Sequence, residues 1–307
     1  MIQAVRIGDD PILGPGSCAS LGDNLNGPSL VSRPDRAPGP GRYLLYFAHH
    51  KGQHIRLAWA DDLRGPWTVH APGVLPLADT PLAQTRPETT QPAWVVGSGQ
   101  DGLYPHLASP DVWLDEPSQR LRMIFHGLAP HGEQVSYRAW STDGLGWTVE
   151  GPQIEETYLR RFVHRGQVYA MARLGIVLRE TPDGNFQHGP SLIAGNPRHV
   201  AVLVRGDTLH VVFSRIGDAP ERLIYTTIDL SGDWRVWQAG PEIELLRPER
   251  SWEGAGEPIR PSMVGAVDYA NELRDPALFE HEGQVWMVYS GAGEAALGLA
   301  RLDGIQG

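Results

Sequence analysis

The sequence predicts an all-β protein, a five-bladed β-propeller of four-stranded antiparallel blades spanning residues 1–307 as one domain, on three observations. An apolar run ending in a small or polar residue occurs five times. A second β-rich run and a turn signal follow each copy, and in four copies an aromatic residue then opens a further run. Radial repetition of a four-strand meander is the propeller arrangement, and five copies make five blades. A β-sandwich would not require the same strand, turn and aromatic order five times.

The apolar runs lie at Tyr43–Ala48, Leu121–His126, Val168–Ala172, Leu209–Ser214 and Val285–Ser290. Their bulky markers Phe47, Phe125, Met171, Phe213 and Tyr289 are separated by 78, 46, 42 and 76 residues, which describes one repeat carrying two insertions. The next runs are Ile55–Ala60, Ser136–Ser141, Ile176–Arg179, Leu223–Ile228 and Ala296–Arg301. Turn signals such as Asp143-Gly144, Asp183-Gly184 and Asp303-Gly304 follow, and Asp-Gly between alternating runs marks a hairpin. Trp67, Trp147, Phe186 and Trp237 open the outer strands, and the three tryptophans are expected to pack between blades. The inner strands are placed at Pro28–Val31, Pro110–Leu114, Tyr158–Val163, Val200–Val204 and Pro276–Glu280. The fifth copy reaches Asp303-Gly304 without a fourth strand, and Ile2–Ile7 has the length and β content to supply it, so the N-terminal strand is expected to close the ring.

Composition agrees with many short elements, because 36 Gly and 26 Pro among 307 residues exceed the usual share of roughly 12%. A net charge of −10 with no basic run opposes nucleic acid as a partner. The single cysteine, Cys18, cannot form an internal disulfide. Met1–Asp10 lacks a basic start and apolar core, and no stretch is apolar over about 18 residues, so a cytoplasmic location without membrane contact is expected. No nucleophile elbow, phosphate-binding loop or dinucleotide fingerprint is present.

Both insertions, residues 70–108 and 238–272, join an outer strand to the next inner strand and fall on one face of the ring, here called the top. Long loops in a compact domain carry function, and these contain Trp94, Tyr104, Glu249, Trp252 and Glu253. Counting 14 residues back from the markers aligns Asp111, Thr157, His199 and Asp275 at the starts of inner strands, with Gly27 of Asn26-Gly27-Pro28 in the first blade. Asp111, His199 and Asp275 are therefore expected to meet at the mouth of the central channel, where convergent ionisable groups signal catalysis. The second-to-third connections add His49, His50, His126, Arg173 and Arg215 to that rim, a set that would hold a neutral sugar by hydrogen bonds. His50, His54 and His126 lack the alignment of a zinc site.

The motifs Gly27-Pro28-Ser29-Leu30, Tyr43–His50, Ile55–Trp67, Ala108-Ser109-Pro110-Asp111-Val112 and Arg274-Asp275-Pro276-Ala277 resemble the five-bladed propeller glycosidases related to glycoside hydrolase family 43, the arabinanase and invertase-like superfamily. The resemblance spans nearly the whole chain. It implies an Asp base on the first blade, a supporting Asp on the second and a Glu acid on the third. Asp111 matches the second position, but the first is Gly27 and the third is Thr157 beside Glu156.

The expected activity is hydrolysis of a small oligosaccharide or glycoside, with Asp111 and Asp275 as core carboxylates and Glu253 and Glu156 as candidates for the remaining role. Asn26, His49, His50, His126, Arg173, Arg198, His199, Arg215, Trp252 and Arg274 are the expected substrate contacts. No cofactor is required, although a channel-bound cation such as calcium is compatible with the fold. A non-catalytic sugar-binding propeller is the alternative reading, motivated by Gly27 and Thr157. A phosphorylase using Arg173, Arg198 and Arg215 is another.

Overall fold

The computed structural model describes residues 2–34, 39–91, 101–265 and 269–305. Among these, strand β1 (Gln3–Arg6) precedes five blades. Blade 1 comprises β2 (Asn26–Ser32), β3 (Tyr43–Ala48), β4 (His54–Ala60) and β5 (Thr68–Pro76), and blade 2 comprises β6 (Leu107–Asp115), β7 (Arg120–Leu128), β8 (Gln134–Ser141) and β9 (Thr148–Ile154). Blade 3 follows with β10 (Arg160–His164), β11 (Gln167–Met171), β12 (Ile176–Glu180) and β13 (Phe186–Ser191). Blade 4 holds β14 (Pro197–Arg205), β15 (Thr208–Arg215), β16 (Leu223–Asp229) and β17 (Ile243–Leu246). Blade 5 holds β18 (Leu273–His281), β19 (Gln284–Gly291) and β20 (Ala296–Asp303), and β1 completes it, pairing antiparallel from Gln3 opposite Asp303 to Arg6 opposite Ala300. The ring thus closes through the N-terminal strand, leaving β20 no open edge.

Apolar cores lie between neighbouring blades. Tyr46 of blade 1 meets Trp147 of blade 2 edge-on at 5.6 Å and donates its hydroxyl to the Gly144 carbonyl at 2.9 Å. Trp237 packs on Tyr169 of blade 3 at 5.0 Å. Trp237 does not open an outer strand, however. Asp233 caps a short 3-10 turn at Trp234–Val236 through the Arg235 N–H, and β17 begins only at Ile243.

The channel is plugged by Arg160 of blade 3. Its guanidinium donates to the carbonyls of Pro28, Pro110 and Val200, at 3.1, 2.7 and 3.2 Å, and so ties blades 1, 2 and 4 to its own. Asp111 belongs to this plug. One oxygen stands 3.6 Å from Arg160 and the other accepts the Arg161 N–H at 2.8 Å. Burial pushes the Asp111 carboxyl up, with Arg160 opposing.

The strand register corrects the marker count. Irregularities in β2, β6 and β18 place Gly27, Ser109 and Asp275 at one height, each left-handed (φ 54°, 46° and 49°) and each before a proline. The blade-2 counterpart of Asp275 is therefore Ser109, not Asp111. The β6–β7 loop spans four residues, between Asp115 and Arg120, whereas the β18–β19 loop spans two, between His281 and Gln284. A count through these loops misplaces blade 2 by the difference.

Candidate functional site

A cavity of about 370 Å³ opens on the top face, where the inner strands start, and both insertions contribute to its wall through Tyr104 and His106 and through Gly265. One side is an arc of six rings from four blades and the first insertion. His199 lies 4.2 Å from Tyr158, Tyr158 4.1 Å from His126, His126 6.1 Å from His106, His106 4.7 Å from Tyr104 and Tyr104 6.1 Å from His50, between centroids. Burial lowers His106 to about 4 and holds His126 and His199 well below the usual imidazole range. Burial also raises Tyr104 and Tyr158. At neutral pH most of this arc is therefore uncharged, and it suits a neutral ligand with apolar ring faces.

Glu294 lies on the opposite side, in the β19–β20 connection. Its Oε2 accepts from the Asn24 and Asn26 amides at 2.9 and 3.1 Å and sits 3.3 Å from His50 Nδ1, while its Oε1 is 3.3 Å from Arg274. Burial alone would raise this carboxyl, but His50 and Arg274 hold it well below the usual range. Arg274, fully buried, is framed by Glu221, Glu272 and Glu294. Glu221 also receives Arg198 in a two-pronged pair at 2.8 and 3.0 Å and the Ser214 hydroxyl at 2.6 Å. Every charge in this network has a counter-charge, which low-dielectric burial demands.

His199 and Asp275 form a pair with the form of a proton relay. Nδ1 of His199 hydrogen-bonds Asp275 Oδ1, and the fully buried Asp275 is fixed further by the Gly27 N–H at 3.2 Å. The carboxylate orients the ring and fixes its tautomer, and because His199 lines the cavity with Nδ1 engaged, Nε2 is the nitrogen left to take a proton. Around it, Ser109 Oγ, Asn26 Oδ1 and both nitrogens of His126 are buried without a partner among the described residues. All three residues line the cavity. Buried polar atoms left so are costly unless something else satisfies them.

Of the residues singled out from sequence, Asn26, His50, His126, Arg173, Arg198 and His199 line the cavity. Asp275 and Arg274 stand directly behind it. The other assignments lie elsewhere. Asp111 is in the plug. Glu156 faces His188 of the outer strand at 3.5 Å. Glu253 is buried against Arg6, the Tyr289 hydroxyl and the Glu249 and Arg250 N–H groups. His49 turns toward Asp23 at 3.7 Å, and Arg215 forks onto Glu242. Trp252 packs on Tyr289 at 5.9 Å and over Gly291 and Gly298, and its N–H donates to the Asp9 carbonyl at 2.9 Å. Trp94 falls outside the described residues.

The carboxylates Asp111, Asp275, Glu253 and Glu156 are therefore not brought together, and neither are Arg173, Arg198 and Arg215 as a phosphate clamp. Sequence reading missed Glu294, Tyr158, Ser109 and His106. Glu294 occupies the fifth second-to-third connection, the one left unread when the other four were aligned. Among the described residues no three His, Cys, Asp or Glu side chains converge as a metal site. A cation in the channel does not fit either, because the Arg160 guanidinium already takes the carbonyls that would hold it. No described helix is long and apolar enough to cross a membrane.

No protein-family model matches the chain. It is 35% identical to the uncharacterized protein R118 of Acanthamoeba polyphaga mimivirus, over 91% of this chain and 83% of that protein. Its fold is that of the family-43 five-bladed propeller glycosidases. A β-xylosidase/α-arabinofuranosidase of that family from a compost microbial metagenome matches with a TM-score of 0.59 at 12% identity, over 97% and 94% of the two chains. An N-acetylgalactosamine deacetylase from F. plautii matches with a TM-score of 0.60 at 12% identity, over 99% and 95%.

Proposed function

We propose that this chain, which belongs to one family with the mimivirus protein R118, is a saccharide-directed hydrolase that binds a small neutral sugar in the top-face funnel. The observation that carries the reading is the conjunction in one cavity of a six-ring wall, three polar side chains buried without a partner among the described residues, and a His–Asp pair. Sugars offer apolar ring faces for stacking and hydroxyls that both donate and accept, and Asn26, Ser109 and His126 present matching acceptor and donor atoms. His199, held by Asp275, is the general base that activates water. Solved proteins of this fold include enzymes named for glycoside cleavage and one named for deacetylation, so the fold alone does not select the bond.

On the glycosidase reading, the Tyr158 hydroxyl, kept protonated by burial, is the proton donor to the leaving oxygen. A non-catalytic sugar-binding propeller is favoured by one specific observation, the glycine at position 27. Aryl glycosides and short oligosaccharides, assayed for binding by calorimetry and for release of product, separate these. The hydrolase reading expects His199→Gln to retain binding and lose turnover by about 10² or more. Binding by the parent with no turnover of any saccharide derivative would establish the binding module instead.

A further inference from the structure

Resting on the saccharide reading, we infer that the bond hydrolysed in this funnel is an acyl ester on the sugar and not the glycosidic bond. Glycosidic cleavage by the common routes needs two proton-active carboxyls flanking the scissile oxygen, separated by about 5 Å or by roughly 6.5–9.5 Å. Among the described residues two carboxylates line the cavity, and neither is free to carry a proton: Glu294 is held ionised by His50, Arg274 and two asparagine amides, and Asp101 of the first insertion is paired with Arg86 at 2.6 Å, which holds it below the usual carboxylate range. Asp275 reaches the ligand only through His199. Acyl transfer has a lower requirement, because a single imidazole serves first as base and then as acid.

The steps balance on groups already placed. Water adds to the acyl carbonyl carbon while its proton passes to His199 Nε2, with Asp275 hydrogen-bonded to Nδ1 and stabilising the imidazolium. The negative oxygen of the tetrahedral intermediate is met by hydroxyl donors and positive charge: Tyr158, stacked on His199 at 4.2 Å, Ser109, whose buried Oγ has no partner among the described residues, and the Arg173 guanidinium on the same wall. The intermediate collapses with cleavage of the bond between the acyl carbon and the sugar oxygen, and that oxygen takes the proton back from Nε2. A carboxylic acid and a free sugar hydroxyl result. An imidazole this weakly basic suits an ester, whose alcohol leaves more readily than an amine. The orphaned Asn26 Oδ1 and His126 nitrogens then bind the remaining hydroxyls of the sugar.

The test uses the intact protein with mono-O-acetylated methyl xyloside and methyl glucoside, the corresponding unacetylated 4-nitrophenyl glycosides, and calorimetric titration with the unacetylated methyl glycosides. Acetate release by the parent is expected, reduced about 10²–10⁴-fold in His199→Gln and about 10²-fold or more in Asp275→Asn, with folding verified by melting. A downfield Nδ1 proton resonance from His199, present in the parent and lost in Asp275→Asn, reports the relay independently of any substrate. Glu242→Gln, on the exposed partner of Arg215, is expected to leave acetate release unchanged. Release of 4-nitrophenol without release of acetate would overturn the ester assignment and leave the saccharide reading standing. Absence of methyl glycoside binding together with absence of both products would overturn the saccharide reading itself.

Discussion

Replacing Gly27 by alanine should destabilise the protein by an amount that its surroundings fix. Gly27 has φ +54°, and a Cβ built there would stand 2.7 Å from the Ser109 Cα and 2.8 Å from its Oγ. The left-handed conformation costs an L-residue about 1–2 kcal/mol. Because the closer obstacle is backbone of blade 2, the overlap cannot be relieved by a rotamer change, and overpacking of this kind costs about 1–3 kcal/mol. The sum, about 2–5 kcal/mol, corresponds to a fall in melting temperature of order 10 °C at roughly 2–4 °C per kcal/mol. Thermal unfolding followed by circular dichroism measures it. Gly27→Asp should be worse, since the new carboxylate would stand beside Asp275, whose Oδ2 accepts the Gly27 N–H. The same contact accounts for the glycine where the resemblance calls for a base: Ser109 occupies the space an aspartate needs. A Gly27→Ala variant melting within about 1 °C of the parent would refute the close approach of blades 1 and 2.

Trp252→Ala should lower stability by about 3 kcal/mol, as for a truncated, partly buried aromatic, with unchanged affinity for any sugar; weakened affinity at constant melting temperature would return Trp252 to the binding surface. Arg160→Met should destabilise by about 3–5 kcal/mol by leaving Asp111 buried without its counter-charge and three carbonyls without their donor, and an unaltered denaturation midpoint would show the plug to be incidental. Burial raises the Glu253 carboxyl, but Arg6 together with the Glu249 and Arg250 N–H groups holds it below its usual range, so these contacts stabilise the fold above about pH 4.3 and lose that contribution as pH falls further. Arg6→Met should therefore remove stability at pH 7 and much less at pH 3, read by denaturant titration at both. His199 acts as the neutral ring, and burial with Arg198 and Arg160 keeps it neutral against Asp275, Glu294 and the adjacent Tyr158. The acidic limb of turnover should then lie below the ordinary imidazole value of about 6.5; a limb at or above it would remove His199 as the base.

The fold was legible because the blade is a local pattern. Four of the five meanders are written in consecutive residues, with alternating apolar runs, a turn signal and an aromatic for the next blade. Even ring closure followed from counting, since blade 5 lacked a strand and Ile2–Ile7 had the composition for one. The exception, Trp237, shows the limit: an aromatic at repeat spacing packs between blades as expected, yet an Asp233-capped turn intervenes before the strand begins.

The site was less legible because it is assembled from single residues on five blades, and its register depends on hairpin lengths that do not affect the repeat pattern. Two extra residues in the β6–β7 loop moved the apparent channel-mouth position from Ser109 to Asp111, and with it a buried lock for Arg160 took the place of a cavity-lining serine. Where the hairpin is short, as between β18 and β19, the same count reached Asp275 correctly. Glu294 was within reach of the repeat, at the connection equivalent to His50 and Arg173. His106 was not, since it sits in an insertion with no counterpart in other blades to set its register, whereas Tyr104 of the same insertion was singled out for its composition and lines the cavity. Tyr158 became visible only through its left-handed backbone (φ 57°), which turns the start of blade 3 toward His126 and His199. A ring of short strands thus encodes its architecture in the sequence pattern and its chemistry in departures from that pattern: left-handed residues before prolines, one long hairpin loop and two insertions.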